Sequence, residues 1–182
     1  MSVVNLVKER KLQFDNQNFN SRHRKYGREL YSMDIDMIEF NKYCEPEILL
    51  ETKHGCQTSI DLNSYQCKSQ RNVADKLGIP YFIVLYYYPG LNEANGKIDE
   101  FGTTHKYIIV PGNQIALGYT FGSVKPTLFS EHSFVQFLYM VKKLEMPADL
   151  NLDKTIDIKP KLPIVYDTHS LCVPIEHGKK VA

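Results

Sequence analysis

Within residues 34–53 four side chains have the types and spacing of a phosphoryl-transfer site: Asp34, Asp36, Glu51 and Lys53. In an extended strand, side chains two apart share a face. Asp34 and Asp36 therefore point one way. Glu51 and Lys53 likewise share a face, with Thr52 on the other. A turn centred between Tyr43 and Cys44 pairs residues whose numbers sum to 87, which sets Asp36 opposite Glu51 and Asp34 opposite Lys53. Opposed side chains in an antiparallel pair lie roughly 5 Å apart at Cβ, and a slip of one residue would send the pairs to opposite faces. In this register three carboxylates and one ammonium converge. Carboxylates that close need a cation between them or a shared proton. Mg²⁺, or Mn²⁺ in its place, suits such oxygen donors, with the Thr52 carbonyl as a further ligand and water and substrate phosphate completing the shell. Such an ion polarises a phosphoryl oxygen and lowers the pKa of a bound water. Lys53 can orient that water or stabilise charge in the transition state. This is equipment for hydrolysing a phosphodiester; the plainer reading of the same residues is an ion-pair cluster at a strand end.

The flanking sequence predicts the elements that would hold these groups. Residues 33–40 alternate as a strand, Asn41 to Pro46 reads as a turn, and residues 47–53 form a second strand whose Ile48-Leu49-Leu50 lead-in predicts burial. Residues 62–77 read as a helix stopped by Gly78, with Pro80 beyond. Residues 81–87 are apolar on both faces and predict a central strand covered on both sides. A polar loop follows. Residues 106–110 and 114–121 flank Pro111-Gly112-Asn113 and read as a hairpin, and Ser130 caps a helix to about Leu144. At the start of the chain, Val3, Leu6, Val7 and Phe14 predict a helix over 3–14. From Met146 onward Pro147, Pro160, Pro163 and Pro174 predict an irregular tail wrapped on the domain. The expected architecture is α/β, one mixed central sheet flanked by helices. Residues 1–146 form the domain and 147–182 the tail.

Composition narrows the class. At 182 residues, 43% apolar and 24% charged, the chain is neither a disordered tail, a fibre nor a disulfide miniprotein. No apolar run approaches the roughly 20 residues of a membrane span, and the opening residues lack a signal-peptide core. The expectation is a cytoplasmic protein with no membrane partner. Cys44, Cys56, Cys67 and Cys172 form no C-x-x-C pair, and the phosphate-binding loop and dinucleotide fingerprints are absent from the sequence. The formal net charge of +1 conceals an asymmetry: residues 1–32 carry a local balance of +4 and residues 33–51 one of −5. The basic part centres on Arg22, Arg24, Lys25 and Arg28, suited to phosphates, with Tyr26 able to stack on an exposed base. Lys68, Arg71, Lys106 and Lys125 are candidates to extend that surface.

Asp34-Ile35-Asp36, then Glu51-Thr52-Lys53 after a hairpin, then a helix and a buried strand, resembles the PD-(D/E)xK nuclease superfamily, in particular its phage and resolvase-type single-domain members. The resemblance covers residues 1–90 and extends to about 145. It implies a restriction-endonuclease-like fold and Mg²⁺- or Mn²⁺-dependent hydrolysis of DNA, with RNA left open as the polymer. It also implies a homodimer where two strands are cut. It carries Asp36 and Glu51 onto the metal-binding acids and Lys53 onto the catalytic lysine. No Pro precedes either Asp, so Asp34 competes with Asp36 as principal ligand; register favours Asp36. Some members place a polar residue on the next helix. Gln66 and Gln70 share one helical face, and Gln66 is assigned to the site. A further Glu on the first helix would be Glu9 or Glu29. The alternatives are a nucleic-acid-binding module of the same fold without hydrolysis, and an acidic hairpin that pairs with a basic protein.

Overall fold

The chain divides between Asp34 and Ile35. The computed structural model describes residues 35–55, 57–89 and 102–166. The expected helix over 3–14, the basic stretch with Arg22, Arg24, Lys25, Tyr26 and Arg28, the acids Glu9, Glu29 and Asp34, and the last residues of the tail lie outside them.

The first element is a hairpin. Strand β1 (Met37–Phe40) runs antiparallel to β2 (Pro46–His54). The turn is organised by Asn41, whose Oδ1 accepts from the backbone N–H of Tyr43 at 2.9 Å and of Glu45 at 3.0 Å. Met37 pairs with Leu50, Ile38 with Leu49 and Glu39 with Ile48, the register expected from the turn; a bulge then shifts Phe40 onto Pro46. The strand is shorter than expected, because Ile35 and Asp36 precede the ladder.

A short strand β3 (Ser59–Asp61) leads to helix α1 (Tyr65–Leu77). Ser64 caps α1 by accepting from the N–H of Cys67, and Gly78 ends it in the left-handed conformation at φ 68°, where a side chain would be strained. The helix is the crossover that allows β4 (Tyr81–Tyr87) to lie parallel to β2. Strand β5 (Lys106–Pro111) returns antiparallel to β4.

The expected hairpin after β5 does not form. Residues Gln114–Tyr119 are helix α2. Asn113 explains the difference: its side chain accepts from the N–H of Ala116 at 2.9 Å and starts a helix where a turn between strands was expected. The strand that pairs with β5 is instead β6 (Thr127–Ser130), antiparallel to it. Ser130 ends β6 and caps α3 (Glu131–Val141) by accepting from the N–H of Ser133.

The result is a mixed five-stranded sheet in the order β1-β2-β4-β5-β6, with three helices among the described residues. Strand β4 is the middle strand, and five of its seven residues are consecutive and buried from Tyr81 to Leu85. Side chains alternate between two cores. Leu49, Tyr81, Ile83, Leu85, Ile108 and Val110 face α1 with Cys67 and Ala74. Ile48, Leu50, Phe82, Val84 and Ile109 face α3 with Phe137 and Val141. Odd-numbered residues of β2 therefore point toward α1, and Glu51 is among them.

Past Pro147 the chain has no helix or strand until β7 (Ile164–Tyr166), which pairs parallel with β3 in a second, two-stranded sheet that the sequence did not suggest. The segment is fastened on its way. Asp157 takes an ion pair at 2.8 Å from Lys106 and hydrogen bonds from Thr103 and Thr104. Asp153 accepts from the N–H of His132 through its backbone carbonyl at 2.9 Å.

A candidate active site at the end of strand β2

Glu51 is 1% exposed, on the sheet face covered by α1. A carboxylate this deep must have its charge and lone pairs met. Lys53, two residues on and on the same face, pairs with Oε1. Gln66, in the first turn of α1, donates to the same oxygen at 2.5 Å. Gln70, one turn further on the same helical face, donates to Oε2. Lys53 also donates to Gln66 Oε1 at 3.1 Å, which closes a triangle of Lys53, Glu51 and Gln66.

The triangle rests on a second layer. Gln70 is fully buried, and its Oε1 accepts from the hydroxyl of Tyr81 at 2.6 Å. That bond fixes the orientation of the amide: with its oxygen held by Tyr81, only the NH₂ is left for Glu51. Burial pushes the Tyr81 hydroxyl well above the ordinary tyrosine range, with a further push from neighbouring Cys67, so it remains a donor. Tyr81 is held in turn by Asn113, whose Oδ1 accepts from the Tyr81 N–H at 3.1 Å. Close backbone approach completes the seat: the N–H of Gly112 donates to the Tyr81 carbonyl at 2.7 Å, and a Cβ on Gly112 would run into the Tyr81 ring.

Asp36 occupies the open edge of β2. Leu49 in this strand and Gly55 just past its end direct their N–H groups to Pro80 and Tyr86 on the β4 side. Alternation turns the N–H and C=O of Thr52 to the β1 side. There β1 has not yet begun, and the Asp36 carboxylate takes the place of a backbone acceptor. Its Oδ2 accepts from the Thr52 N–H and from Thr52 Oγ1, each at 2.8 Å. Both bonds fall on one oxygen, and the described residues supply no partner for Oδ1. The register places Asp36 opposite Glu51, but its carboxylate is anchored on Thr52.

Of the residues singled out from sequence, Glu51, Lys53 and Gln66 are brought into direct contact, and Asp36 and Thr52 into a second contact on the same strand. Asp34 is outside the described residues. Among those described, no group of three or more His, Cys, Asp or Glu side chains converges. Gln70, ranked behind Gln66, makes the deeper contact. The sequence marks Tyr81 only as part of an apolar central strand; an aromatic residue there carries no signal that its hydroxyl has a polar partner. Lys68 and Lys125 are exposed. Arg71 instead donates to the carbonyls of Gly112 and Leu62 at 2.7 and 2.9 Å, bracing α1 against the ends of β3 and β5. Lys106 is fully buried, held by Asp157 and the Thr104 carbonyl, and cannot extend a basic surface.

No family model, curated protein or solved structure matches the chain. No helix among the described residues is long and apolar enough to cross a membrane.

Proposed function

We propose that this chain is a divalent-metal-dependent nuclease of the restriction-endonuclease-like type, hydrolysing phosphodiester bonds in DNA. The observation that carries this reading is the buried Glu51 carboxylate bridged to Lys53 and Gln66. A second carboxylate, Asp36, is fastened to the same strand through Thr52.

The donor set suits Mg²⁺ or Mn²⁺. Mg²⁺ is commonly held by one or two carboxylates and keeps the rest of its shell for water and phosphate. Asp36 Oδ1 and the Thr52 carbonyl, at the edge of β2, are the groups that would hold it, and Glu51 would join them by exchanging one of its bonds to Lys53, Gln66 or Gln70 for the ion. When bound, the ion supplies charge stabilisation on a phosphoryl oxygen and a lowered water pKa. Thr52 keeps the Asp36 carboxylate in place through both bonds to Oδ2. Gln66 and Gln70 orient the Glu51 carboxylate through their hydrogen bonds to its two oxygens. Lys53, partly exposed where Glu51 is not, is the group that faces substrate, where its ammonium orients the attacking water and meets the charge that develops on the phosphate.

A binding module of the same fold without hydrolysis is the second reading. It is favoured by one observation: both Glu51 oxygens already have protein partners. Calorimetric titration with Mg²⁺ and Mn²⁺, alongside incubation with linear, circular, single-stranded and branched DNA and with RNA, separates the two. Metal binding with cleavage supports the nuclease; nucleic-acid binding with neither metal uptake nor cleavage supports the module.

A further inference from the structure

The five-stranded sheet ends at β6, which has β5 on one side and no strand of the described residues on the other. The ladder fixes which backbone groups face outward. The Gly112 N–H donates to the Tyr81 carbonyl between the ends of β5 and β4. By alternation Ile83, Leu85 and Tyr87 also turn their hydrogen-bonding groups toward β5, and their partners Val110, Ile108 and Lys106 turn back toward β4. Tyr107 and Ile109 are then the residues of β5 that bond β6, at Phe129 and Thr127. Leu128, between those two, presents its own N–H and C=O at the open edge.

An apolar groove follows the same edge on the face covered by α3. It encloses about 430 Å³ and is lined by Tyr119, Thr127, Phe129, Phe137 and Met140. A cavity of about 150 Å³ accepts a benzene ring, so this one has room for a phenylalanine side chain. Phe121 stands at its rim, fully exposed, with φ at +53°. A bulky residue in the left-handed region is strained, and here the strain holds an aromatic ring out in solvent.

The edge is complementary to itself. When two copies pair antiparallel about a two-fold axis through Leu128, positions equally spaced from Leu128 oppose each other. The two Leu128 residues then exchange both their bonds. Thr127 faces Phe129 of the second copy, and because both residues line the groove, the two grooves become continuous across the axis. Exposed Lys125 faces Glu131, whose Oε2 takes the Asp153 N–H at 3.0 Å and whose Oε1 has no partner among the described residues. Pro126, which has no N–H, falls opposite Ser130, whose carbonyl opens the α3 ladder, so the missing donor leaves no acceptor unmet. A strand of another protein could satisfy Leu128, but a second copy also brings an acid, a base and a Phe ring to the matching places.

We infer that β6 is a homodimer edge, where two copies pair about an axis at Leu128 and each sets Phe121 into the joined groove. One sheet then runs through both copies. This pairing goes beyond the nuclease reading and stands without it.

The test is sedimentation velocity of the full chain from about 1 to 100 µM. Wild type is expected to pass from monomer to dimer across this range. Phe121→Asp, Lys125→Glu and Glu131→Lys each weaken the dimer by about tenfold or more, with circular dichroism verifying that each variant is folded. An equimolar mixture of Lys125→Glu and Glu131→Lys restores it, because in the mixed pair every glutamate again meets a lysine. A misfolded variant or a dimer through another surface would not give that rescue. Wild type that stays monomeric throughout, or a dimer that all three variants leave unchanged, overturns the proposal. In a monomeric wild type, a lower melting temperature for Phe121→Asp would show the groove filled from within the chain instead.

Discussion

Gln70 donates from Nε2 to Oε2 of Glu51, and both residues are almost wholly withdrawn from water. Because Tyr81 holds the other end of the Gln70 amide, the carboxylate is oriented by a relay that begins in the middle strand. Gln70→Leu removes a hydrogen bond to a charged group, typically worth about 1.5–3 kcal/mol, and leaves the Tyr81 hydroxyl without this acceptor. The expected outcome is a drop of that order in urea unfolding and, in a cleavage assay, a lower kcat at nearly unchanged KM. Tyr81→Phe is milder, because Gln70 still reaches Glu51. Wild-type kcat in a folded Gln70→Leu variant would remove the relay from the mechanism.

Thr52 holds Asp36 by its backbone N–H and its hydroxyl. Thr52→Val keeps the shape and the N–H but loses the hydroxyl bond. Groups that orient a metal-binding carboxylate commonly change affinity by about tenfold or more when removed. Mn²⁺ titration of Thr52→Val should therefore show affinity weaker by about that factor. Equal affinity would mean that Asp36 takes no part in holding the ion.

Asn113 joins three elements. It accepts from Tyr81 and Ala116, and it donates to Asp75 at 2.9 Å and to the Ile79 carbonyl at 3.0 Å, while fully buried. Asn113→Ala removes an N-cap and orphans buried backbone groups, at a cost of roughly 2–4 kcal/mol. Thermal unfolding is the check. A variant as stable as wild type would mean that α2 and the β4 start do not depend on this residue.

Asp157 gives the chain a pH signature. The Lys106 ammonium beside it, then the Thr103 N–H, hold its carboxyl well below the ordinary carboxylate range. A group depressed on folding contributes stability above its unfolded value of 3.8. That contribution fades as pH falls below this value toward the folded one. Wild type should therefore exceed Asp157→Asn in melting temperature at neutral pH, with the gap narrowing only in strong acid. A gap that is constant through acid would contradict this linkage.

How much of this was legible in the sequence depended on whether the signal was local. The β1–β2 register followed from the turn and the alternation, both local features. The helix after Glu51-Thr52-Lys53 followed from its stop at Gly78 and Pro80. The run Tyr81–Leu85 was apolar at every position and could only be central. The segment after Pro111 was misread because Gln114–Tyr119 mixes apolar and polar residues in a way that fits either period, and the decisive term was the side chain of Asn113. The β3–β7 pairing joins segments about a hundred residues apart, which no local pattern reports. In the site, the shared face of Gln66 and Gln70 was visible, but which one went deeper depended on how α1 lies over β2. Asp36 was placed by register, while its turn toward Thr52 depended on where β1 begins.

In the proposed nuclease, Glu51 and Lys53 perform metal-dependent hydrolysis. Its most direct test is the rate of nucleic-acid cleavage in Mg²⁺ or Mn²⁺ by wild type, Glu51→Gln and Lys53→Ala, each verified as folded. The expected result is metal-dependent cleavage by wild type, abolished by chelation, and a fall of about a hundredfold or more in both variants. Cleavage that survives unchanged in both folded variants, or no cleavage of any DNA or RNA form by wild type, would contradict it.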